Sequence, residues 1–103
     1  MVDAGSSALV PGPGPDLGDP AYRAAVVDLL GVLAYGELSA FVRLAADAAL
    51  APRIADEAQL AGMAVAEFRH FTRRRERLAD LGVDPEAAMA PFVAAIDGFH
   101  EST

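Results

Sequence analysis

The sequence has no cysteine. That excludes disulfides, thiolate metal sites and a cysteine nucleophile, and it suits a reducing compartment. Lysine is absent too, because all eight basic residues are arginine, while 23 residues are alanine. Such a pairing reflects compositional bias rather than a functional signal. No basic start leads into a long apolar run, so no signal peptide is expected. No uninterrupted apolar stretch of about 18 residues occurs, so a membrane span is not expected, and a cytoplasmic setting is. Valine, isoleucine and threonine are sparse and form no alternating runs, which argues against strands. There is no Ser-His-Asp set, glycine-rich phosphate loop, zinc-finger spacing or internal repeat. The net charge is −7, so the chain as a whole is no electrostatic trap for nucleic acid.

What remains is short and helical. The chain has 103 residues, and the first 19 include Pro11-Gly12-Pro13-Gly14-Pro15 and little that fills a core. Residues 1–19 are therefore expected to be a disordered tail. The remainder, 20–103, gives one helical domain with one modest core, too small for a TIM barrel or a multidomain enzyme. Asp19-Pro20 is a helix start, with Asp19 as N-cap and proline in the first turn. This helix is expected to reach about Leu50. Pro52 breaks it and begins a second helix, which runs to about Leu81, with Gly82 as its left-handed stop. Asp84-Pro85 opens a shorter third helix to about Phe99, which Pro91 should kink or split. The expected fold class is all-α: a long antiparallel helical hairpin plus a short third helix.

The apolar stripes of the two long helices carry the same anomaly. The first runs Val26, Leu30, Leu33, Glu37, Phe41, Leu44, on one face by its spacing of three and four. The second runs Leu60, Met63, Glu67, His70, Arg74, Leu78, Leu81, with Phe71 beside it. Glu37 and Glu67 each stand fifteen residues from Pro52, so they should lie level across the hairpin. The same rule pairs Leu33 with Phe71, Phe41 with Met63, and Leu44 with Leu60. Two carboxylates side by side in a helical core repel and lose hydration, which a divalent cation relieves. Glu37, Glu67 and His70 are thus candidate metal ligands. A Glu from one helix with Glu-x-x-His from the next is half of the ligand set of a di-iron four-helix bundle. Against this stands a plainer reading, in which Glu37 points outward and His70 is a satisfied structural histidine.

The residues around these positions carry a resemblance. The segment from Leu29 to Phe41 (LLGVLAYGELSAF) resembles the first helix of actinobacterial ferritin-like proteins. These are related to the tRNA hydroxylase that acts on methylthio-isopentenyl-adenosine. Met63 to Phe71 (MAVAEFRHF) resembles their second helix, and Leu81 to Phe92 with Phe99-His100-Glu101 resembles the connector that follows. The resemblance spans about residues 20 to 103. It implies a non-haem di-iron protein, an oxygenase or a relative of one, with Glu37, Glu67 and His70 as its first-half ligands and iron, or manganese, as the metal. The family bundle takes another Glu and another Glu-x-x-His from a second helix pair. Here the sequence ends at Thr103, and His100-Glu101 lacks that spacing. The chain is therefore expected to be the N-terminal half of a bundle. A homodimer or a separate second-half chain would complete it. The alternative is a non-catalytic helical dimerisation module that retains the ligands, and iron storage is a third reading.

Other features divide similarly. Arg69, Arg73, Arg74, Arg75 and Arg77 read either as phosphate contacts to tRNA or as a solvated face near a helix C-terminus, and Arg74, which lies on the apolar stripe, either pairs with a carboxylate of the candidate site or marks where the core ends. Tyr35 should face away from Glu37 and pack against neighbours. Gly31 and Gly36 permit close helix approach or leave room beside a metal. His100 reads as a connector residue.

Overall fold

The computed structural model describes residues 16–102, all of it turn and helix with no strand among them. The expected disordered tail falls mostly on residues 1–15, outside the described residues. Residues 16–19 make a turn in which the Asp16 carboxylate accepts from the Gly18 amide at 2.8 Å. Four helices follow, and we number them in chain order. Helix α1 is Pro20–Leu50, α2 is Ile54–Asp80, α3 is Pro85–Met89 and α4 is Val93–Ser102, with a 3-10 turn over Ala90–Phe92.

The boundaries follow from caps. The Asp19 side chain accepts from Ala21 N at 3.0 Å, and Asp84 accepts from Glu86 N at 3.3 Å, each just before a proline. Ala51 precedes Pro52 but has no side-chain oxygen. The expected start of α2 at Pro52 therefore slips to Ile54, with Arg53 in an extended conformation as N-cap. Arg53 instead pairs with Asp56 in the first turn at 2.9 Å. At the other end Gly82 has φ +78°. Gly82 N bonds to Ala79 O at 2.9 Å and Val83 N to Leu78 O at 3.0 Å, which together form a Schellman stop. Pro91 splits the third helix, as expected, because the pyrrolidine has no amide to continue the ladder.

The buried core differs from the expected stripes. Its members are Ala34, Ala48, Ala64, Phe71, Leu78 and Ala88, with Gly31 beside them. Leu33 is 36% exposed and Met63 49%, while Val26, Leu30, Phe41, Leu44 and Leu60 are half-buried. Alanines and two large side chains of α2, Phe71 and Leu78, are buried. The other large apolar side chains of the two stripes are left half-covered by these helices. A lone pair of helices has nothing above it to bury such a row.

Among the described residues, α1 is long and apolar enough by length and composition to cross a membrane. The core helix of a soluble protein passes the same test, and the uninterrupted run is still absent, because Asp28 and Glu37 break it.

Gly31 and Gly36 separate cleanly. A Cβ on Gly31 would stand 2.2 Å from the Ala88 carbonyl oxygen, so this glycine lets α3 lie directly on α1. A Cβ on Gly36 would meet nothing within 4 Å. Gly31→Ala is expected to lower stability by about 1–3 kcal/mol through overpacking against backbone. Gly36→Ala should raise it by up to about 1 kcal/mol through helix propensity. Urea melts of the two variants, side by side, check this opposite pair.

Candidate functional site

Glu37 sits in the middle of α1, and Glu67, His70 and Arg74 follow one another on a single face of α2 at intervals of three and four. The hairpin brings all four together. His70 Nδ1 lies 3.4 Å from Glu67 Oε1 and 3.8 Å from Glu37 Oε2. Arg74 Nε donates to Glu37 Oε1 at 3.3 Å. The Glu37 side chain is 15% exposed, Glu67 30%, Arg74 39% and His70 44%. The cluster therefore grades from a nearly covered carboxylate on α1 to an imidazole half in solvent on α2.

The pairing by distance from Pro52 sets Glu37 level with Glu67, and the contacts that Glu37 makes are with His70 and Arg74, further along α2. Side chains on a helix lean toward its N-terminus. In an antiparallel pair the two leans oppose, so contacts form between residues further along α2 than a level rule allows. Glu37 thus reaches His70 and Arg74, and the Phe41 ring lies tilted against Phe68 at 5.2 Å between ring centroids. Phe68 also meets Phe71 at 5.6 Å. This small aromatic row was not anticipated, and the lean is the signal that finds it.

The arginine cluster divides. Arg74 serves Glu37. The Arg75 guanidinium lies 5.0 Å from the centre of the Phe71 ring. Arg69, Arg73 and Arg77 are exposed, and Arg77 alone stands in the last turn of α2, where a cation is favourable.

Tyr35 lies roughly 200° round α1 from Glu37, by helix geometry. Its hydroxyl donates to Asp97 Oδ1 at 2.8 Å, fastening α4 to α1. A cavity of 390 Å³ beside this bond is lined by Tyr35, Ser39, Arg43, Asp97 and His100, among others. His100, in α4, thus lies on the back of α1. The bond to Asp97, then burial, then the carboxylate's charge raise the Tyr35 hydroxyl above its ordinary pKa of 10.0. Folding favours the neutral phenol, so this contribution is full below the unfolded value and is lost as pH rises through the folded one. Tyr35 should therefore ionise later than a free tyrosine as pH rises. Ultraviolet absorbance against pH tests this. Tyr35→Phe should remove the late step, and its survival in that variant would contradict the assignment.

The donor set is chemically apt for a divalent metal: two carboxylates and an imidazole whose Nδ1 faces both. The side chains approach in pairs. Among the described residues no three or more His, Asp or Glu side chains already converge as a finished cage. Glu37 is held partly by Arg74. The arrangement offers one Glu on α1 and one Glu-x-x-His on α2 of an all-α hairpin. The family model described as ferritin-like domain, actinomycetes, matches residues 20–103, and the chain belongs to that family. No curated protein matches the chain.

Proposed function

We propose that residues 20–103 form a metal-binding half-bundle, with Glu37, Glu67 and His70 as ligands to iron or manganese, completed by a second copy of the same helices. One observation carries this. The carboxylate and imidazole cluster lies on the stripe that the hairpin leaves half-open, between Leu33 and Met63, where an apolar residue would otherwise serve packing. A twofold partner would cover that stripe and bring a second Glu and a second Glu-x-x-His. A pair of irons held there supplies oxygen activation, the chemistry of a hydroxylase or oxidase. This chain's part is to fix the carboxylates at mid-helix and to keep the imidazole Nδ1 turned toward them. Kinship with the tRNA hydroxylases, and with it a cytoplasmic setting, rests on the likeness of residues 29–41 and 63–71. Exposed Arg69, Arg73 and Arg77 are the phosphate contacts that such a substrate would use.

A second reading has its own support. Arg74 already neutralises Glu37, as it would in a helical dimerisation module that has no need of metal. Anaerobic Fe(II) titration followed by light scattering separates the two. The metal reading expects a dimer that takes up two irons. A dimer that takes up none supports the dimerisation module, and an iron-free monomer contradicts both.

A further inference from the structure

The geometry points to Arg74 as a built-in competitor for metal: its guanidinium holds, in the metal-free chain, the Glu37 carboxylate that a metal ion must take. This rests on the metal-centre reading above. Glu37 is the most enclosed of the ligands, and both of its oxygens are engaged, Oε1 by Arg74 Nε at 3.3 Å and Oε2 by His70 Nδ1 at 3.8 Å. Glu67 lies beside His70 and has no arginine partner among the described residues. A cation entering the cluster therefore meets the Glu67 charge in full, but the Glu37 charge already answered by Arg74.

Sequence explains the placement. Arg74 stands one turn beyond His70 on the same face, and its side chain leans back over that turn toward Glu37. With 39% of the side chain exposed, the guanidinium has an open path to water when displaced. Displacement exposes a hydrated charge and frees an enclosed carboxylate. The site then changes from one net negative charge to two, counting the imidazole as neutral. Arg75 offers an internal control. It carries the same charge on the next residue, but it rests on the Phe71 ring and makes no contact with Glu37.

Co(II) affinity, read from its visible spectrum, is measured for the wild type, Arg74→Met and Arg75→Met. Thermal midpoints are taken on the same samples without metal. Arg74→Met should bind Co(II) at least tenfold more tightly than wild type and melt at a lower temperature when metal-free, because Glu37 loses its partner. Arg75→Met should leave the affinity within about twofold. Binding by Arg74→Met with none by wild type also supports the proposal. Equal affinity in wild type and Arg74→Met overturns the competitor role and leaves the metal site standing. An equal gain in both variants reduces the effect to overall charge and overturns it too. No binding by any of the three proteins removes both the competitor and the metal centre.

Discussion

Glu67→Ala is expected to weaken metal binding more than about 100-fold while changing metal-free stability by less than about 1 kcal/mol. The first figure follows from ligand chemistry. Loss even of a group that only supports a ligand costs 10–100-fold in affinity, roughly, and Glu67 is itself a ligand in the proposed site. The second figure follows from the contacts. Glu67 touches His70 at 3.4 Å, both side chains reach solvent, and such exposed pairs contribute little. Removing one of two neighbouring carboxylates also relieves repulsion, which offsets the lost pair. Calorimetric titration with Mn(II) and a urea melt of the metal-free protein give the two numbers. A variant that binds Mn(II) as wild type does would remove Glu67 from the ligand set. A stability loss of several kcal/mol would show a structural role that the geometry does not predict.

Leu78→Ala is expected to destabilise the chain by about 2–5 kcal/mol. Leu78 has 0% exposure and is the one large side chain fully buried among the described residues. Its carbonyl accepts the Val83 amide in the Schellman stop, so its position also fixes the turn from α2 into α3. The rest of the core is mostly alanine, with Phe71 as its other large member, and alanines cannot close over a vacated leucine volume. A small domain has only about 5–15 kcal/mol of net stability, so this one change removes a large share. Urea unfolding at fixed protein concentration measures it, since a dimer's midpoint varies with concentration. Leu78→Met, which nearly conserves volume, should lose less than about 1.5 kcal/mol. A loss for Leu78→Ala no larger than that for Leu78→Met would contradict the assignment of this core.

The all-α hairpin and its turns were legible because local chemistry decides them. Asp19-Pro20, Asp84-Pro85 and Gly82 each act within a few residues, and each appears where expected. The start of α2 was less legible, since Pro52 breaks a helix without supplying a cap. The stripe spacing brought Glu37, Glu67 and His70 to one place. It allowed Arg74 to pair with a carboxylate but did not say that the partner is Glu37, because a level rule for backbone positions ignores the lean of the side chains. Nor did it reveal which apolar residues are buried. Periodicity finds a face of a helix, but how far that face is covered depends on what packs over it. Here Ala34, Ala48 and Ala64 are buried with Phe71 and Leu78, whereas Leu33 and Met63 stand partly uncovered. That row of half-covered side chains, with the polar cluster at its middle, is why a second copy belongs in the account.

Native mass spectrometry of the protein loaded anaerobically with Fe(II) tests the proposed half-bundle most directly. The expected result is a dimer carrying two irons, and loss of that iron, with the dimer at least weakened, in His70→Ala. A monomer free of iron, or iron retained in His70→Ala, would contradict it.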